Sequence, residues 1–149
     1  MLIEKRFMEE AFAEAKAAAA MDETPVGAVI VRNGEIIARA HNMVETLHDA
    51  SAHAELIAMR KAAEALDSRI LSDCVLYVTM EPCPMCAGAC LHFRIGAVAY
   101  GAYDKACGAA GSVTDLGCGL FGPEIPFYGG IMQEECARLL TDFFKGKRQ

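Results

Sequence analysis

VLYVTMEPCPMCAGAC, residues 75–90, decides the fold. Its first six residues are β-branched, aromatic or aliphatic, the composition of a buried strand. Pro84 then suits the first turn of a helix, where its missing N–H is no loss, and that helix is predicted to run to about Phe93. Cys83 and Cys86 stand at the junction, with Cys90 four residues further on. A cysteine pair at this spacing serves three chemistries: a redox dithiol, half of a closed structural zinc site, or part of an open catalytic metal site. The remainder of the chain separates them.

Outward from this junction the pattern alternates. EKRFMEEAFAEAKAAAA (4–20) carries Phe7, Met8, Ala11, Phe12, Ala15, Ala18 and Ala19 at helical spacing, with charges opposite. PVGAVIV (25–31) and EIIARA (35–40) flank Asn33-Gly34, a strong hairpin signal. HNMVETLHDAS (41–51) reads as an ordered loop ending at Ser51, the expected N-cap of a helix through Leu66 whose core face is Leu56, Met59, Ala63 and Leu66. RIGAVAYGA (94–102) holds another strand. Residues 104–130 are glycine-rich and give no regular period, and QEECARLLTDFFK (133–145) is a final helix with Cys136, Leu139, Leu140, Phe143 and Phe144 inward. Strands separated by helices require crossover connections. They predict an α/β fold, a sheet with helices on both faces, in a single domain over residues 1–149. The tail KGKRQ is expected to be a frayed terminus.

Composition narrows the function. The chain has 149 residues, is 54% hydrophobic and carries a net charge of −6. It is long enough to bury a core without disulfides, and its balance argues against a broad electrostatic footprint for nucleic acid. No apolar run is long enough to span a bilayer, and MLIEKRFMEE has no apolar signal core; a cytoplasmic protein is expected. Its seven cysteines are therefore read as thiols. Cys74, Cys107, Cys118 and Cys136 are expected in ordinary core or surface positions.

SAHAEL (51–56) supplies the other half of the chemistry. His53 adds a third ligand to Cys83 and Cys86. Three protein ligands leave a position for water, whereas a structural site closes with four. Glu55 gives the proton of that water somewhere to go. On an ideal helix residues two apart diverge by roughly 200°, so His53 and Glu55 can share a site only beyond the helix N-terminus. A redox pair would leave His53 and Glu55 without a role. Closure by Cys90 would need a ligand two helical turns from the helix start.

HAE (53–55) with PCPMC (82–86) resembles the zinc-dependent nucleobase deaminases. PVGAVIV, ARAHN, HDASAHAE, LYVTMEPCPMCAGA, RIGAVAYGAYD, GAAGS and ECARLLTDFF, in that order, look like the bacterial tRNA-specific adenosine deaminases over about residues 5–145. The resemblance implies a three-layer α/β/α, cytidine deaminase-like fold around a mixed five-stranded sheet. It implies one Zn²⁺ per subunit on His53, Cys83 and Cys86, with Glu55 as the catalytic proton shuttle. The reaction would be hydrolysis of adenosine to inosine at the wobble position of a tRNA anticodon. Asn42, the backbone at Ala54 and Pro82, and Asp104 would contact the nucleoside, Asp104 through the ribose. The protein would be a homodimer that binds a tRNA anticodon loop, with no membrane partner and no DNA as native substrate.

Two segments depart from that family pattern. YDKACGAAGS (103–112) has Ala106 and Cys107 where basic or threonine residues are usual, and LGCGLFGPEIPFYGG (116–130) offers glycine, proline and aromatics. Phe121, Phe127 and Tyr128 are expected to pack under that loop, with stacking on bases as the other reading. A deaminase of free guanine- or cytosine-type compounds, and a zinc-bearing binding module without turnover, stay open beside the main reading.

Overall fold

Asn33 and Gly34 reverse the chain with φ of 51° and 77°, the two positive values that a tight hairpin turn matched to strand twist demands. They join β1 (Gly27–Arg32) to β2 (Glu35–His41). The computed structural model describes residues 2–147. Ahead of the hairpin runs α1 (Lys5–Ala20), and after it come α2 (Val44–Leu47), α3 (Ala54–Leu66), β3 (Cys74–Met80), α4 (Pro84–His92), β4 (Ala97–Ala102), β5 (Phe127–Tyr128) and α5 (Gln133–Lys147). The five strands form one sheet in the order β2-β1-β3-β4-β5. The β1 strand is antiparallel to both β2 and β3, while β3, β4 and β5 run parallel. This is the mixed five-stranded sheet that the family resemblance implies, with β5 added to the four strands read from the residues.

Period-two alternation splits each strand between two cores. Ala28, Ile30, Leu76, Val78, Val98 and Tyr100 face α3 and α4, where Ala58, Met59, Ala62 and Cys90 meet them. Val29, Val31, Val75, Tyr77, Ala97 and Ala99 face the opposite way, onto Phe7, Met8 and Ala11 of α1. Cys136 and Leu140 of α5 extend that second layer over Ala102. The α1 helix lies so close to β1 that a Cβ on Gly27 would collide with the Ala11 carbonyl and the Ala15 amide. At the β2 edge, Lys61 of α3 donates its Nζ to the Arg39 carbonyl at 3.0 Å.

Several local expectations change. Segment 41–51 is not a plain loop: β2 continues to His41, and α2 forms one short turn closed by His48 in the left-handed region. The N-cap of α3 is His53, not Ser51, which instead bonds Asp49. The buried face of α3 is Ala54, Glu55, Ala58, Met59 and Ala62, so Leu56 and Ala63 move off it, while Leu66 still packs, half-buried, against the core. Alanines let the helix approach the sheet, and turning Glu55 inward rotates the neighbouring Leu56 toward the rim. Phe144 is 45% exposed, because α5 rests on the sheet through Cys136 and Leu140. The expected fraying at 145–149 does not hold for 145–147, which stay helical with Lys147 paired to Asp22; residues 148–149 lie outside the described residues.

Glu81 ties the glycine-rich segment to the end of β3. Its buried carboxylate accepts the backbone N–H groups of Asp104, Ala110 and Ser112, each at 3.0 Å, and the Ser112 hydroxyl. Gly108 has no room for a side chain, since a Cβ would strike that carboxylate. Thus a stretch without hydrophobic periodicity is ordered by one acceptor-only group.

Two outcomes follow from this packing. Gly27→Ala should lower stability by about 1–3 kcal/mol through overpacking, read as a lower urea midpoint at unchanged slope; an unshifted midpoint contradicts the close approach. Glu81→Gln sets an amide N–H against backbone donors, so the Ala110 and Ser112 amides should exchange faster with solvent at a cost of about 1–3 kcal/mol.

Candidate active site

The site forms where two helices begin. His53 is the N-cap of α3 and Cys83 the N-cap of α4, both extended, with φ/ψ of −76°/149° and −75°/173°. Because His53 is not yet helical, the divergence expected of residues two apart does not apply, and His53 and Glu55 line the same cavity. Cys86 follows one turn into α4, on its buried side. Both helix N-termini favour negative charge there.

One ligand atom each from His53, Cys83 and Cys86 lies within 4.8 Å of the others, the group of metal-ligand type found among the described residues. His53 Nδ1 stands 3.7 Å from Cys83 Sγ and 3.4 Å from Cys86 Sγ. Tetrahedral zinc, with bonds of about 2.3 Å to sulfur and about 2.0 Å to nitrogen, separates such donors by roughly 3.5 Å. The residues present therefore fit zinc, and a set of three leaves a fourth position open. The hydrogen bond from Cys86, joined by that of His53, pulls Cys83 down to about 4, into the thiolate state, while the same bond and burial push Cys86 up. The bond to Cys83 raises His53. Cys90 is fully buried in the α3–α4 core and stands outside the trio.

Glu55 is 4% exposed, and burial raises its carboxyl to about 6. It shares a cavity of about 300 Å³ with Thr24, Val26, Asn42, Val44, Glu45, His53, Met80, Glu81, Cys83 and Asp104. That volume is at the small end for ligand sites. A wider cleft of about 460 Å³, between Arg69, His92, Arg94 and Phe121, contains none of the trio; the chemistry identifies the smaller one.

Of the other residues singled out in the sequence, Asn42 is buried and lines the cavity, and Asp104 lies at its wall. Asp104 Oδ1 accepts the N–H groups of Ala106 and Cys107, each at 3.0 Å, so it also holds a turn. Ala54 and Pro82 are buried beside lining residues but do not enter the lining, and the Pro82 carbonyl accepts the Ala109 N–H at 2.9 Å. Phe127 is half-buried against the core, whereas Phe121 and Tyr128 are exposed. Sequence reasoning missed Glu23 and Glu81, both buried. For Glu81 a signal was available, a carboxylate directly ending the apolar run 75–80; Glu23, between Asp22 and Thr24, offered none.

Comparison with known proteins agrees with this geometry. Residues 1–102 match the cytidine and deoxycytidylate deaminase zinc-binding region. The tRNA-specific adenosine deaminase of Bacillus subtilis is 43% identical over 150 residues, 100% of this chain and 93% of that protein. The chloroplastic tRNA(adenine(34)) deaminase of Arabidopsis thaliana is 43% identical over 96% of this chain, which spans only 12% of its length. A chain solved in a study of A-to-I editing by tRNA:A34 deaminases superposes with a TM-score of 0.88 at 41% identity, over 92% of this chain and 100% of the other. A guanine deaminase of Bacillus subtilis gives a TM-score of 0.66 at 44% identity, over 68% of this chain and 66% of its own. With a zinc-type donor set at the head of two helices and full-length similarity of this order, the chain belongs to the zinc-binding cytidine and deoxycytidylate deaminase family, in the branch of the tRNA-specific adenosine deaminases.

Proposed function

We propose that this chain hydrolyses adenosine to inosine at the wobble position of a tRNA anticodon. One observation carries the chemistry: a proton-transfer carboxyl, Glu55, shares a small cavity with His53 and Cys83, two of three donors spaced for zinc. Family membership and the relatives' substrate carry the choice of RNA.

His53, Cys83 and Cys86 would hold one zinc ion. Bound there, zinc supplies Lewis acidity and eases loss of a proton from water at neutral pH. Glu55 takes that proton on its carboxylate and returns it to the amino nitrogen on C6 of the base. The C6–N bond breaks, a C6–O bond replaces it, and ammonia leaves, so adenosine and water become inosine and ammonia. A carboxyl raised to about 6 is suited to both accepting and giving near pH 7. Asn42 is assigned to the base. The second oxygen of Asp104, with no protein partner in the hydrogen bonds above, is assigned to a ribose hydroxyl, which would distinguish RNA from DNA. The backbone at Ala54 and Pro82, buried behind the lining residues, is assigned to help hold the base.

The same proposal includes one domain over residues 1–149, homodimeric assembly around an anticodon loop, a cytoplasmic location and no DNA substrate. No helix among the described residues is long and apolar enough to cross a membrane.

Two measurements test it. The purified protein incubated with tRNA and with a panel of free bases and nucleosides should yield inosine in tRNA by mass; turnover of guanine or cytidine with untouched tRNA would replace the reading with a free-base deaminase. Glu55→Ala should retain stoichiometric zinc yet lose at least about a hundredfold in kcat. Full activity in that variant, or zinc-free wild-type protein, refutes the assigned roles.

A further inference from the structure

Glu23 sits between α1 and β1 with no exposed surface. Among the described residues, all four of its side-chain hydrogen bonds go to one distant segment. Oε1 accepts from Asn42 Nδ2 at 3.2 Å and the Glu45 N–H at 3.1 Å; Oε2 accepts from the Thr46 N–H and the Thr46 hydroxyl, each at 2.6 Å. Burial opposes ionisation, but these donors outweigh it and hold the carboxyl below its ordinary range.

An ionised carboxylate only accepts, so the end of the Asn42 amide that meets it must be the NH₂ end. The amide is thereby barred from flipping. Among the described residues Asn42 Oδ1 has no protein hydrogen-bond partner, and no sealed side-chain oxygen lacks one. Since Asn42 lines the cavity, Oδ1 is open to it.

We propose that Glu23 is a specificity-determining positioning residue: by holding the amide nitrogen of Asn42, it fixes an acceptor toward the base and so favours a purine that carries an amino group over one that carries a keto oxygen. This rests on Asn42 facing the base, as assigned above. The asparagine amide matches the amino and ring-nitrogen edge of adenine with one acceptor and one donor. In inosine a carbonyl oxygen replaces the amino group, and it meets Asn42 Oδ1 oxygen to oxygen. The fixed amide therefore separates substrate from product as well as adenine from guanine. With glutamine at position 23 the neighbouring amide can donate, Asn42 can turn over, and the keto edge becomes acceptable.

The test compares anticodon stem-loop RNAs carrying adenosine or inosine at the wobble position, bound to protein silenced by Glu55→Ala. The adenosine RNA should bind about tenfold more tightly, as one well-matched base edge allows, and adding Glu23→Gln should bring the ratio close to one. Thr46→Val, which removes a donor to Oε2 but leaves the Asn42 contact, should keep the ratio. An unchanged ratio in Glu23→Gln, or equal loss in Thr46→Val, overturns the proposal, the latter by showing only general support of the segment. A readout without RNA keeps it separate from the assigned reaction. The two Nδ2 protons of Asn42 should be widely split in the ¹⁵N–¹H spectrum of the wild type and should converge in Glu23→Gln. A wild type without that splitting overturns the proposal even if tRNA is deaminated, whereas the splitting persists if only the tRNA reading fails. If Glu23→Gln does not fold, Glu23→Asp, which withdraws the carboxylate by one methylene, is read in the same two ways.

Discussion

The rest of the site depends on one backbone constraint: α3 and α4 both begin at a residue that is still extended. An N-cap points its side chain past the helix end, toward the unpaired N–H groups of the first turn. His53 and Cys83 occupy such positions, and the sheet brings both helix starts to the same end of the molecule. Had either helix started one turn earlier, the imidazole or the thiolate would lie on a helical flank and point sideways. The inward turn of Glu55 follows from the same arrangement, since the first turn of α3 must pack its alanines on the sheet.

Two buried carboxylates then order two segments that contribute to the cavity lining. Glu23 organises residues 42–46, and Glu81 organises 104–112. Each satisfies backbone N–H groups that would otherwise have no partner, which is how irregular segments with little apolar content become rigid walls. The metal-type donors thus sit at the starts of two helices, while the cavity walls combine loop residues such as Asn42 and Asp104 with Val44 and Glu45 of α2 and Met80 of β3.

Features governed by local pattern were legible in the sequence. Asn33-Gly34 announced its hairpin, the apolar run at 75–80 its strand, and Pro84 the first turn of α4. The grouping of His53 with Cys83 and Cys86 came from chemistry and spacing, and their ligand atoms do converge. Features governed by distant partners were not legible. The buried face of α3 is set by a glutamate that no hydrophobic pattern would place inside. Glu23 and Glu81 find their donors 19 to 31 residues away. The β5 strand, at two residues, is too short to leave a periodic signal and is defined by pairing with β4.

The sheet's two margins carry a further consequence. An open strand edge can recruit another chain into non-native pairing. At one side β5 offers only two residues, too few to template a ladder. At the other, the Lys61 ammonium occupies the Arg39 carbonyl on β2, while Arg39 itself is held by Glu10 and Glu14 of α1. Charge and brevity thus guard both margins, so a protein with so apolar a sheet can be made at high local concentration on the ribosome with less risk of strand-to-strand aggregation.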